Sequence, residues 1–186
     1  LLINFQTFRT RTQEHLHEVC VELSLCLRGN LAFEADGIEY PFLPGSVFVS
    51  QPHEPHRMRH NPKGLMLQRI LFKIPKKGAC VLDLPRRENA WLVREMQNFP
   101  MRLFPATERV KVAFARLFER YDSEERGTVS CRLKMKAAVL ELLLALIEAP
   151  HAPASSKGRP HAKVKAIVER LRKMPTENYP VENLAQ

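Results

Sequence analysis

The sequence lacks both the long apolar run of a membrane protein and the leader of a secreted one. Its longest apolar run, Val139–Ile147, is interrupted by Glu141 and is far shorter than the roughly 20 residues of a membrane-spanning helix. The N-terminal run Leu1–Ile3 is too short for a signal peptide, and Arg9 and Arg11 follow it closely. We therefore expect a cytoplasmic protein without a membrane partner.

Cysteine is scarce and is not arranged in pairs. The chain has four cysteines and no C-x-x-C motif, and 186 residues can form a stable core without disulfides. The sequence also lacks a glycine-rich phosphate loop and a G-x-S-x-G nucleophile motif. We therefore assign no catalytic residue. We expect reduced core thiols at Cys20, Cys26, Cys80 and Cys131.

Acidic residues are too few to balance the basic ones. There are 29 Lys and Arg against 20 Asp and Glu, which gives a formal net charge of +9. This excess favours a polyanionic partner, with nucleic acid first, although many basic proteins bind no polyanion. One basic stretch, Arg57–Lys77, contains no acidic residue. We expect it to be a solvated loop and strand face, with attraction of an anionic ligand or of DNA as the alternative.

The first half of the chain has the pattern of short β-strands. Val19–Leu27 alternates over nine residues, with Cys20, Glu22, Ser24 and Cys26 on one face and apolar side chains on the other. Asp36-Gly37 indicates a hairpin and Pro44-Gly45 another turn. Short strands separated by such turns predict an antiparallel sandwich or barrel.

The second half has helical periodicity, and its longest helix, predicted over Val129–Glu148, carries two apolar stripes. A helix that is apolar on two sides must be covered on two sides. We expect the first stripe to pack on its own domain: Leu133, Ala137, Leu140, Leu144 and Ile147. We expect the second stripe to form a homodimer interface, unless the helix is buried wholly within one subunit: Met135, Val139, Leu142 and Leu146.

A histidine and carboxylate motif precedes and enters the first clear strand. His15, His17, Glu22 and Gly29 give the spacing H-x-H-x4-E-x6-G. Imidazole and carboxylate groups are natural ligands of divalent transition metals such as Zn, Ni, Fe or Mn. Three interpretations stay open: an occupied metal site, a metal-free pocket for a small molecule, or a solvated strand edge.

This spacing resembles the first motif of the cupin superfamily, which consists of small jelly-roll barrels. The resemblance implies a fourth ligand, His56, and a divalent metal, with Zn or Ni expected first. It also implies a break near Glu18–Val21 that lets His15 and His17 converge with Glu22 despite their opposite strand parity.

The same resemblance implies a ligand pocket on the inner face of the barrel. If Glu22 points inward, Ser24 and Cys26 do so too, and we assign ligand binding to these three residues and to His56. The second cupin motif is degenerate, because Pro44-Gly45 stands for Pro-x-Gly and no Asn lies four residues after His56.

The C-terminal segment resembles the start of the helix-turn-helix domain of the AraC/XylS transcription regulators. A basic amphipathic helix leads into Met174-Pro175, and Tyr179–Ala185 ends in an Asn-Leu-Ala helix opening. The chain starts without Met and stops inside this helix, so we expect a piece of a longer protein. The order of segments also matches that family: a cupin-like barrel over 1–84, a pair of antiparallel helices over 85–148, a linker over 149–160 and a truncated helix-turn-helix module over 161–186.

This family resemblance implies a ligand-responsive regulator, and not an enzyme, that binds a small-molecule effector in the barrel, dimerises through its helices and binds DNA through its C-terminal module. The main alternative is a metal-dependent cupin enzyme, either an isomerase or a dioxygenase. A storage or interaction cupin is a third class. The linker and the basic tail disfavour both alternatives, because a single-domain cupin needs neither.

Overall fold

The computed structural model describes residues 2–6, 13–29, 31–59, 65–76, 78–122 and 128–152. The predicted helix-turn-helix module and residues 153–160 of the predicted linker lie outside the described residues. Within them, strands occupy the first half and helices the second. The strands are β1 (Leu2–Gln6), β2 (Cys20–Arg28), β3 (Leu31–Ala35), β4 (Ile38–Phe42), β5 (Ser46–Ser50), β6 (His56–Met58), β7 (Met66–Lys73) and β8 (Leu103–Pro105). The helices are α1 (Arg86–Gln97), α2 (Glu108–Asp122) and α3 (Val129–Glu148).

The strands form two antiparallel sheets. The larger sheet has the order β1-β7-β2-β5-β8 and the smaller one β4-β3-β6. The β3–β4 hairpin turns at Asp36 and Gly37, which have φ values of 52° and 73°, as expected for an Asp-Gly turn between twisted strands. Mixed β and α architecture with antiparallel sheets is therefore confirmed.

Strand β2 is buried on both faces, and each face has a different neighbour. Val21, Leu23 and Leu25 belong to the core that also contains the inner faces of α2 and α3. Cys26 lies on the opposite face, among the aromatic side chains between the two sheets. The predicted alternation is present, but from Cys20 to Cys26 neither face of the strand is exposed to solvent.

Aromatic side chains fill one end of the space between the sheets. Phe33 and Phe48 are stacked with ring centroids 4.3 Å apart, and Phe42 meets Phe33 edge-on at 5.1 Å. All three rings are fully buried. This end of the barrel is therefore packed as an apolar core.

Helix α3 reverses the predicted roles of its two stripes. Of the residues predicted to form a dimer interface, Val139, Leu142 and Leu146 are buried in the chain's own core, and Met135 is partly buried against it. Leu133, from the stripe predicted to be internal, is 60% exposed. The assignment was wrong because two apolar stripes on one helix give no sequence signal for which one meets the sheet.

Two further results concern expectations from composition. Cys20, Cys26 and Cys131 are buried and free as expected, whereas Cys80 is exposed, contrary to the expectation of four core thiols. No helix within the described ranges is long and apolar enough to cross a membrane.

We expect Leu142→Ala to lower the free energy of unfolding by about 2–5 kcal/mol, because it leaves a cavity in the core beneath α3. Leu43→Ala, at an exposed leucine, is the matched control and should change stability by less than about 0.5 kcal/mol. Urea unfolding followed by circular dichroism measures both. Equal effects would contradict the inward orientation of Leu142.

Candidate metal centre

The structure brings together the four residues predicted to hold a metal ion. His15 and His17 lie on the segment before β2, Glu22 lies on β2, and His56 opens β6. One candidate ligand atom from each residue lies within 4.8 Å of all the others. These four residues could therefore hold a metal ion.

The four side chains converge because the chain changes its pairing partner from the smaller sheet to the larger one at the predicted break. Before β2, His15 pairs with His56 of the smaller sheet: its N–H donates to the His56 carbonyl at 3.1 Å and its carbonyl accepts from His56 at 2.9 Å. The chain bends at Glu18 and Val19 and then enters the larger sheet as β2. The alternation of side chains between the two faces of a strand does not continue through this bend. His15, His17 and Glu22 can therefore face the same point.

Local hydrogen bonds orient two of the imidazole rings. His56 Nδ1 donates to the Glu54 carbonyl at 2.8 Å, and His15 Nδ1 donates to the Gln13 carbonyl at 3.0 Å, as assigned from these partners. Such bonds leave Nε2 as the ligand atom of a neutral ring, which is the usual arrangement of metal-binding histidines. His56 Nε2 is buried and has no hydrogen-bond partner among the described residues, as expected of an atom that binds a metal ion.

The Glu22 carboxylate is fully buried and divides its two oxygens between two sets of partners. Oε1 accepts a hydrogen bond from the Ser24 hydroxyl at 3.1 Å and forms an ion pair with Arg69, whose Nε lies 2.9 Å away. Oε2 lies 3.0 Å from His17 Nε2 and 3.5 Å from His56 Nε2. A carboxylate oxygen only accepts, so each ring nitrogen facing it must carry a proton or share a cation with it.

The electrostatics keep this carboxylate ionised. Burial raises the pKa of Glu22, but the hydrogen bond from His17, the nearby His56 ring and the charge of Arg69 outweigh burial and hold that pKa well below its usual range. Burial lowers the pKa of His56, and the nearby Glu22 carboxylate reverses this, so its net pKa is raised. Burial lowers the pKa of His15.

The loop before His56 is held by Arg102, which directly precedes β8. The Arg102 guanidinium pairs with the Glu54 carboxylate and, at 2.9 Å, with Asp36 in the β3–β4 turn. The Glu54 carboxylate also accepts from the Gln51 backbone N–H at 2.9 Å. Since the Glu54 carbonyl orients His56, Arg102 supports the metal-binding geometry indirectly.

Of the predicted ligand-binding residues, Glu22, Ser24 and His56 meet at this centre and Cys26 does not. Cys26 is packed in the apolar cluster with Phe33, and burial raises the pKa of its thiol to about 11. The prediction of a polar wall extending to Cys26 was wrong, because strand parity fixes the face and not how far the polar end extends. Two surface cavities of about 370 and 230 Å³ are lined by none of these four residues.

Sequence reasoning missed Arg69 as a site residue, placing it in a solvated basic stretch. Arg69 is buried and faces the interior, in register with Ser24 of β2. The signal for an inward orientation was its position in the alternation of β7, because Arg69 lies on the same strand face as Leu67 and Leu71. Arg57 and Arg59 from the same stretch pair with Glu34 instead.

We expect the folded chain to bind one divalent transition-metal ion, measured by isothermal titration with Zn, Ni, Co and Mn salts. His56→Ala should weaken binding at least about 100-fold, whereas His151→Ala, at an exposed histidine, should have no effect. Because the pKa of His56 is raised and protons compete for Nε2, affinity should increase as pH rises through that pKa. Equal binding by both variants would contradict the site.

One family model and several solved structures are similar to parts of this chain. The family model described as "Cupin domain" matches residues 2–67, whereas no curated protein matches the chain. Among solved structures, the chain resembles the plu4264 protein of Photorhabdus luminescens (15% identity, 34% of this chain, 53% of that chain, TM-score 0.31) and KdgF from a Halomonas species (22%, 33%, 58%, 0.30). It also resembles the AraC-like transcriptional activator CuxR (11%, 89%, 55%, 0.46).

The chain spans between 53 and 58% of the length of these three solved structures. Residues 2–67 cover β1 through the start of β7, and they include all four candidate metal ligands. Within residues 2–67 the chain therefore matches the cupin domain model.

Proposed function

We propose that the chain is the sensing and dimerising part of a ligand-responsive transcription regulator of the AraC/XylS type. The observation that carries this proposal is the helical layer that packs against the cupin domain. Helix α3 packs one face on the barrel core and leaves an apolar stripe exposed on the other. A cupin enzyme complete in one barrel has no use for that second face.

The exposed stripe supplies the proposed homodimer interface. Val129 and Leu133 are more than half exposed, and Leu140 and Leu144 are half-buried on the same helix face. On the neighbouring side, ion pairs join Arg109 of α2 to Glu148 of α3 and, at 3.0 Å, Arg116 to Glu141, so the two helices run in opposite directions. A second copy of α3 covers the stripe in an isologous contact.

The basic tail supports the proposed DNA contact. From Pro150 onward the sequence has seven basic and three acidic residues, which suits a module lying on a phosphate backbone. A dimer brings two such modules to one operator and so binds it more tightly than one module does. The effector regulates by binding one arrangement of barrel and DNA module better than the other. This role is cytoplasmic and not enzymatic.

In this proposal the barrel centre holds Zn or Ni through His15, His17, Glu22 and His56, and the ion supplies a Lewis-acid anchor for the effector. The same four residues favour a second candidate function, a metal-dependent cupin enzyme. The two functions differ in the consequence of ligand binding, which is altered DNA affinity in the first and a chemically changed ligand in the second.

We expect the natural protein that contains this chain to select specific sites from a pool of random DNA duplexes. A dimer with helix-turn-helix modules should enrich paired half-sites separated by about 10 base pairs or a multiple of that spacing. Sequencing of the bound fraction measures this, with a selection at high salt as the control for non-specific binding. Absence of any enriched site would reject the regulator and favour the enzyme.

We expect Val129→Glu combined with Leu133→Glu, both at exposed positions of the stripe, to convert a dimer of this chain into a monomer. Two unpaired charges in an apolar interface should weaken association by at least about 100-fold. Val112→Glu, at an exposed apolar residue of α2, is the matched control and should leave the dimer intact. Sedimentation velocity measures all three proteins, and a dimer that survives the double substitution would refute the interface.

A further inference from the structure

A surface cavity of about 370 Å³ lies where the end of β7 meets helix α3. Phe72 of β7 and Val139 of α3 form its buried apolar part, and both belong to the core that the larger sheet shares with the helices. Val81 and Leu82 also line the cavity and are partly buried against the same core. The volume is in the range of small-molecule sites, which begins at about 300 Å³.

The charged residues in the lining of this cavity are basic. Lys73 and Lys76 line it and are exposed, and no Asp or Glu is among the described residues of the lining. Neither lysine forms an ion pair with a described residue. Asp83, which follows Leu82 in the sequence, is paired with Lys136 of α3 instead. A cation beside an apolar surface favours a ligand that combines an anionic group with an apolar body.

The segment between β7 and α1, which forms one side of the cavity, is held in a defined conformation. The Val81 N–H donates to the side-chain oxygen of Asn89 on α1 at 2.7 Å. The ion pair between Asp83 and Lys136 joins the segment to α3. Leu82 has a φ of 53°, in the left-handed region that a leucine adopts only where its surroundings impose it. A wall fixed in this way reduces the entropy that is lost when a ligand binds.

We propose that this cavity is a second small-molecule site, separate from the metal centre, for an amphipathic carboxylate whose apolar part is about one aromatic ring and a short chain. The apolar part contacts Phe72 and Val139, and Lys73 and Lys76 pair with the carboxylate. No residue of the metal centre takes part, so the inference goes beyond the proposed function and does not depend on it.

Cys80 allows the site to be located in the full chain. It lines the cavity and is exposed, whereas Cys20, Cys26 and Cys131 are buried. Its rate of alkylation by iodoacetamide, a neutral reagent, therefore reports access to the cavity. We expect saturating phenylbutyrate to slow this alkylation at least about five-fold. Cys80→Ser should remove the fast alkylation and so identify its source.

The role of the lysines is tested with phenylbutyrate and its neutral isostere phenylbutyramide, by isothermal titration. We expect the wild-type chain to bind the acid at least about three-fold more tightly than the amide, because exposed ion pairs contribute modestly. Lys73→Gln combined with Lys76→Gln should remove this preference, and arginine at both positions should keep it. Lys111→Gln combined with Lys134→Gln removes the same charge at exposed lysines outside the lining and is the matched control.

Three results would overturn the inference. The first is failure of phenylbutyrate to bind or to protect Cys80. The second is equal affinity for the acid and the amide, or an unchanged preference after both cavity lysines are replaced. The third is slow alkylation of Cys80 without any probe, because another part of the chain or a second copy would then already cover the cavity. None of these results alters the expected metal binding or DNA selection, which are measured separately.

Discussion

The buried carboxylate of Glu22 is the constraint on which the polar end of this molecule depends. An ionised group without solvent is costly unless charged and hydrogen-bonding partners surround it. Those partners come from three places: Arg69 on β7, His56 on β6 and His17 before β2. Since β6 belongs to the smaller sheet and β2 to the larger one, satisfying Glu22 also fixes how the two sheets meet.

The surrounding loops are arranged to keep those partners in place. The paired backbone hydrogen bonds between His15 and His56 fasten the two histidine-bearing segments to each other. Arg102 then fastens the Glu54 loop to the β3–β4 turn. Its backbone carbonyl accepts from the Val49 N–H at 2.8 Å, which ties Arg102 to β5. The candidate ligands are therefore held by strands and by ion-paired loops, which reduces the ordering that a bound ion would require.

The sequence pattern predicted β2 to β5, β7 and the bounds of α3, because alternation and helical period are local signals, but it gave no sign of β1 or β8. The set of four converging ligands came from the resemblance to cupins, because local alternation alone would separate His15 and His17 from Glu22. The sequence pattern could not predict which face of α3 is internal, since Leu133 and Leu142 are the same residue type on opposite faces. Nor did it place Arg69 inside, because charge favours the surface and only the pairing with Glu22 overrides that preference. The assignment of Cys26 to the pocket went wrong for a related reason. The alternation along β2 determines which face Cys26 lies on, but the packing of Phe33 and Phe48 determines whether that position is pocket or core.

Strand β2 offers a physical route by which the proposed effector could act at a distance. Glu22 contacts the candidate ligand position from one face of this strand, while Val21 and Leu23 on the other face share a core with Leu142 and Leu146 of α3. A close-packed interior transmits a displacement of β2 to α3 instead of absorbing it. Under the proposed function, α3 carries the dimer contact on its far side. One strand and one helix then separate the ligand from the partner subunit, and a small change at Glu22 has few layers to cross before it alters how two copies meet.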